Sequence, residues 1–234
     1  MSNQTVRAVL SDGDTEHHPD SGTSDSGGQQ DTALDGCTTT FTDRFSDEAG
    51  ANPPAGWRHL GSDPTPVAWE SDGELRIEAD QGTTTVMADA ATDVDPADVV
   101  TYTVGVAAFE PGGDATISVF ALARDSSLVP SLEVQVFGSG RVQLGNDLQV
   151  GTIAEPPYTL TLWIAGDEAG VVTDHGLDSG RIPLTDIDPT FSREAFPEVR
   201  ALLRVTSSGQ PGDNPLTIDG VEVRVGPQCS ISPP

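Results

Sequence analysis

Residues 132–144 read LEVQVFGSGRVQL. Leu132, Val134 and Val136 alternate with Glu133 and Gln135; Gly138, Ser139 and Gly140 interrupt the pattern, and Val142 and Leu144 resume it. Period-two alternation broken by glycines marks a hairpin with one buried face. A three-residue loop over 138–140 sets Val136 opposite Val142 and Val134 opposite Leu144, so the apolar side chains share a face. The same grammar runs through most of the chain after residue 37, and it decides the fold class.

The stretch VAWESDGELRIE at 67–78 allows two registers. A two-residue Asp72-Gly73 loop pairs Trp69 with Arg76. A three-residue loop, Ser71 to Gly73, pairs Trp69 with Leu75 and Val67 with Ile77. The second gathers four apolar residues on one face, so it is the register predicted, with Trp69 in the core and Gly73 in a left-handed slot. Its cost is Glu70 opposite Glu74, a like-charge pair. Downstream, Val100, Tyr102, Val104, Val106 and Ala108 alternate, as do Tyr158, Leu160, Leu162 and Ile164. In LTIDGVEVRV at 216–225 the apolar parity switches at Asp219-Gly220, which predicts a bulge beside the sheet edge. Only LTDIDPTFSREAF at 184–196 suits a helical turn. Many hairpin-linked strands and almost no helix predict an all-β, antiparallel two-sheet sandwich.

The chain has 234 residues, a net charge of −26 and a pI near 4.1. All eleven basic residues are Arg. Such a surface repels phosphate backbones and anionic lipid, which argues against nucleic-acid and membrane-surface partners. No apolar run is long enough for a membrane helix. The acidity fits either a halophile's surface or a secreted protein that uses Arg for its cations. Residues 1–36 carry seven acidic residues and one Arg among Gly and Ser, the composition of a disordered leader or tether. The first residues do not read as a signal peptide. Cys37 and Cys229, the only cysteines, bracket the patterned region over 37–230. Joined, they form a clasp that points to an oxidising, extracellular or envelope location; in the loop-entropy picture it contributes roughly 5 kcal/mol.

The order of these pieces resembles the concanavalin A-like, laminin-G-like jelly rolls. The residues that carry the likeness are FTDRFSD at 41–47, GW at 56–57, WESDGELRI at 69–77 and FALARD at 120–125. LEVQVFGSGRVQL at 132–144, YTLTLWIAGDEAGVV at 158–172 and IDGVEVRV at 218–225 complete it. The resemblance implies a jelly-roll sandwich of two facing sheets, one concave. It implies members that bind glycans or proteins, often with calcium, or that hydrolyse polysaccharides. Catalytic laminarinase-like members carry Glu-x-Asp-x-(x)-Glu on one strand, which places nucleophile and acid together. No such triplet occurs here: Glu133 stands alone in LEVQV, and Asp219 and Glu222 flank the predicted bulge.

Two further features bear on function. TDVDP at 92–96 echoes TDIDP at 185–189, and Asp93, Asp95 and Asp98 offer the hard oxygens of a partial calcium site, although Asp before Pro also opens ordinary turns. Trp163 alternates with Thr159 and Thr161, away from the apolar row of its strand. Two readings stay open: a loop covers it, or it is an exposed aromatic platform for a sugar ring, flanked by those hydroxyls. The expected function is a non-catalytic binding module, extracellular or envelope-attached, for a glycan or surface polymer. The alternatives are a structural or adhesive domain without a small ligand and a divergent glycoside hydrolase.

Overall fold

The computed structural model describes residues 36–46, 53–60, 67–71, 73–78, 82–109, 116–122, 131–207 and 216–231. The expected leader therefore lies outside the described residues, Gly36 excepted. In chain order the strands begin with β1 (Thr38–Asp43), β2 (Trp57–His59), β3 (Val67–Ser71), β4 (Glu74–Glu78) and β5 (Gly82–Ala88). Then come β6 (Thr92–Asp93), β7 (Val99–Phe109), β8 (Thr116–Leu122), β9 (Ser131–Phe137), β10 (Arg141–Leu144) and β11 (Leu148–Thr152). The series ends with β12 (Tyr158–Ala165), β13 (Glu168–Thr173), β14 (Ile182–Pro183), β15 (Glu198–Val199), β16 (Ala201–Ser207) and β17 (Leu216–Gly226). An α-turn at Leu184–Ile187 and a 3-10 turn at Arg193–Ala195 fall inside the one stretch expected to hold helix.

An eight-stranded sheet runs β14-β13-β12-β7-β17-β4-β3, with β1 also paired to β17; a seven-stranded sheet runs β11-β10-β9-β8-β16-β5-β2. Alternate residues from both sheets, Val104, Leu160 and Val223 from one and Val134, Val142 and Leu203 from the other, join a single buried cluster. The Tyr102 hydroxyl crosses between the sheets and donates to the carbonyl of Leu202 at 3.0 Å. The domain is thus an all-β, antiparallel two-sheet jelly-roll sandwich.

The hairpin at 132–144 has the predicted register, with Val136 opposite Val142 and Val134 opposite Leu144. The first hairpin does not. Trp69 pairs with Arg76 and Val67 with Glu78, the register of a two-residue Asp72-Gly73 loop. Gly73 takes a φ of 82°, the left-handed value expected of it. This register sets Glu70 opposite Leu75 instead of Glu74, which removes the like-charge pair. Leu75 and Ile77 are buried, whereas the side chains of residues 67–71, and with them the expected burial of Trp69, lie outside the described residues.

The predicted bulge is present but lies in the sheet interior. The pairing of β17 with β7 skips Asp219 between Ile218 and Gly220. On its other flank β17 meets β4 through residue 218 and β1 from residue 221, so the bulge marks the change of partner. The Asp219 side chain lies over Gly105 and leaves no room there for a Cβ.

β1 also anchors the chain's entry. Cys37 and Cys229 are bonded, with Cα atoms 4.8 Å apart across 192 residues of sequence. Asp43 then bonds twice, accepting from the Phe45 amide at 2.8 Å and from Trp57 Nε1 at 2.7 Å. Phe45 has a φ of 51°, unusual for a residue with a Cβ, and is held there by burial beside Trp57 at 5.9 Å between ring centroids. Replacing Asp43 with Ala orphans two donors, one of them on a buried ring, and should cost about 1–3 kcal/mol by chemical denaturation. Reducing the disulfide should cost about 2–5 kcal/mol, read as a lower melting temperature in reductant; equal melting with and without reductant would show that the clasp contributes nothing.

Candidate functional site

Trp163 does leave the apolar row, as alternation requires. It is 2% exposed, so of the two readings the covering loop holds and the open platform is corrected. The correction has a tertiary cause. The turn after β13 folds back across the outer face of the eight-stranded sheet. It is tied by Ser179, whose hydroxyl accepts from the Val171 amide at 2.8 Å and whose own amide donates to the Val171 carbonyl at 3.0 Å. Gly170 lets this strap seat against the indole: a Cβ there would fall 2.5 Å from both Trp163 Cζ2 and the Gly180 carbonyl oxygen. A cavity of about 500 Å³ remains between Trp163, Leu177, Arg181 and Ile231.

The three residues expected to act together are also separated. Thr161 is buried and shares a 3.0 Å hydrogen bond with Thr103. Thr159 is half-buried and lines a different cleft with Asp43, Asp219 and Glu222. Strand alternation puts them on one face, but neighbouring strands and the strap divide that face.

Asp93, Asp95 and Asp98 do not converge either. Asp93 belongs to the short β6–β15 ladder, opposite Glu198. Asp95 Oδ1 accepts from the Ala97 amide at 2.9 Å, and Asp98 Oδ2 accepts from the Asp95 amide at 3.3 Å, so both act as turn braces. The Arg193 guanidinium, buried nearby, donates to the carbonyls of Phe196 and Asp95. Burial lowers its pKa, and Asp98 and Asp95 counter that effect. A fixed cation already balances these carboxylates. In the echoing segment, Asp188 accepts from the Thr190 amide and hydroxyl, which lowers its pKa. Among the described residues no three His, Cys, Asp or Glu side chains are grouped to hold a metal ion.

The outer face of the seven-stranded sheet has different chemistry. On β9, Leu132, Val134 and Val136 are buried, which turns Glu133, Gln135 and Phe137 outward, all half-buried. Gln143 of β10 pairs with Gln135, and the Arg141 guanidinium stacks 3.9 Å over the Phe137 ring. On β16 and β5, Arg204 Nε donates to Thr85 Oγ1 at 3.2 Å and the Thr206 and Thr83 hydroxyls meet at 3.0 Å. Beyond them Met87 and Leu202 form a small apolar cluster apart from the main core. In a chain of net charge −26, the polar side chains named on this patch are one carboxylate, two guanidiniums, two amides and three hydroxyls, beside the Phe137 ring. Alternation revealed which residues face outward. The β9–β10 hairpin was legible too, but its joining in one sheet with β16 and β5, far away in sequence, was not.

No protein-family model and no curated protein matches the chain. Solved structures do match in fold. One is an endo-1,3-β-glucanase from Streptomyces sioyaensis, with TM-score 0.60 and 12% identity, covering 81% of this chain and 96% of that one. A second is the Emp47p carbohydrate recognition domain, with TM-score 0.54 and 14% identity over 82% and 97% of the two chains. A third is an immunostimulatory antigen and pseudo β-1,3-glucanase of Mycobacterium tuberculosis, with TM-score 0.52 and 12% identity over 79% and 98%. At these identities the shared property is the jelly-roll fold.

Burial of Trp163 reverses the expectation for its removal. Trp163→Ala should destabilise the domain by roughly 3–5 kcal/mol, in urea unfolding. Gly170→Ala should also destabilise it, since the strap or the indole must shift. An unchanged midpoint for both would show that the strap does not seal the ring.

Proposed function

We propose that this domain is a non-catalytic glycan-binding module that receives a neutral saccharide on the outer face of its seven-stranded sheet. The observation that carries this reading is the outward row of β9. Retaining hydrolysis of a glycoside needs a nucleophile and an acid about 5–5.5 Å apart, and this row supplies Glu133 followed by Gln135 and Phe137. Amides, hydroxyls and an aromatic edge suit the mixed polar and apolar surface of a sugar, and the chain's acidity favours a neutral ligand over an anionic one. The fold's occurrence in glucanases, in a carbohydrate recognition domain and in a pseudo-glucanase is consistent with this reading. The disulfide favours an extracellular or envelope location.

Affinity electrophoresis against a panel of neutral β-glucans tests the proposal. The domain should be retarded without releasing reducing ends, and retardation should change little between low and high salt. Gln135→Ala and Phe137→Ala should each weaken retention roughly tenfold or more while leaving melting nearly unchanged. Release of reducing sugar that disappears in Glu133→Gln would establish a hydrolase instead.

A further inference from the structure

Beyond the Phe137–Arg141 corner, the end of the sandwich opens into a cavity of about 470 Å³, within the range of small-ligand sites. Three elements wall it: the end of β7 at Ala107–Phe109, the β9–β10 turn, and the segment from Ile153 to Tyr158. The walls are tied together. The Gly140 amide donates to the Phe137 carbonyl and the Ile153 amide to the Gly140 carbonyl, each at 2.8 Å. Gly140 has a φ of 78°, and a Cβ there would fall 2.5 Å from the Ile153 oxygen, so the turn and the segment are in contact.

The chemistry of the lining is specific. Phe109, Phe137 and Pro156 supply apolar surface, Ser139 a hydroxyl, and Glu155 the one charged side chain. Tyr158 also lines the cavity. It is 4% exposed, and its buried hydroxyl has no hydrogen-bond partner among the described residues. An unpartnered buried hydroxyl costs stability unless something else satisfies it. Burial raises its pKa, which keeps it a neutral donor.

We infer that this cavity holds the terminal residue of a neutral saccharide whose chain lies on the neighbouring sheet face, so that the domain reads glycan chain ends. The inference rests on the glycan-binding reading above. Phe137 belongs to both the face and the cavity, which makes the two continuous. A recess walled on three sides accepts the end of a chain, whereas an open groove lets a chain pass through. Glu155 disfavours an anionic terminus. The Tyr158 hydroxyl is sealed in the unliganded domain; once a bound sugar shifts the ring, it would gain from a sugar oxygen the partner it lacks in the protein.

Calorimetric titration of the full chain with short and long linear oligosaccharides from the neutral β-glucan panel tests this. One protein should bind per chain at both lengths. Tyr158→Phe should weaken binding about tenfold, yet keep or raise the melting temperature, because the hydroxyl has no protein partner to lose. Several proteins bound per long chain, or unchanged affinity in Tyr158→Phe while Gln135→Ala loses binding, would overturn chain-end recognition and leave the glycan-binding face intact. A lowered melting temperature in Tyr158→Phe would mean that the hydroxyl is structurally engaged, which also overturns it. No binding of any panel glucan to the wild-type chain would overturn both readings.

Discussion

Over ten residue pairs β7 and β17 run antiparallel, from Phe109 opposite Leu216 to Val99 opposite Gly226. Each is eleven residues long, and the eight-stranded sheet is assembled on them. β7 passes the pairing on to β12, while β17 carries β4 on one half of its free flank and β1 on the other. That sharing works because Asp219 is bulged and Gly105 leaves space for its side chain. The bulge shifts side-chain parity by one residue, so the buried face continues from Leu216 and Ile218 to Val221, Val223 and Val225. The disulfide reinforces the same place, joining the start of β1 to the segment just after β17.

The two outer faces of the sandwich differ for a physical reason. On the face of the eight-stranded sheet the strap covers Trp163, paired threonines fill the centre, and the remaining cleft is lined by the carboxylates of Asp43, Asp219 and Glu222. The face of the seven-stranded sheet keeps half-buried amides, guanidiniums and hydroxyls. With a net charge of −26, most of the surface repels anions. A patch low in carboxylates is the place on such a molecule where an uncharged polar ligand meets complementary groups. This contrast in charge, more than any single residue, separates the two faces.

Buried polar groups sharpen the contrast. Tyr102 and Tyr158 both have strongly raised pKa values through burial, yet only Tyr102 has a hydrogen bond, to Leu202. One hydroxyl ties the sheets together. The other belongs to a residue that lines a cavity, and its bonding capacity is unused among the described residues.

The sequence alone determined the sandwich, the hairpin at 132–144 and the extra residue at Asp219, though not the bulge's place inside the sheet; it made the joining of Cys37 to Cys229 an expectation that the structure bears out. For the first three a local signal, alternation or a glycine turn or a shift of parity, agreed with the global one. At 67–78 two local signals conflicted, and apolar parity pointed to a register that the Asp72-Gly73 turn and the charges on Glu70 and Glu74 overruled. For Trp163 alternation correctly gave its side of the sheet but not its exposure, because exposure depends on a strap whose seating is set by Gly170 and Ser179. Asp93, Asp95 and Asp98 are close in sequence, yet turn geometry and the distant Arg193 engage that segment otherwise. The β9 face and the cavity beside it draw on strands from Thr83 to Thr206. Periodicity along one strand tells which way a side chain points, and only the pairing of strands decides what stands beside it.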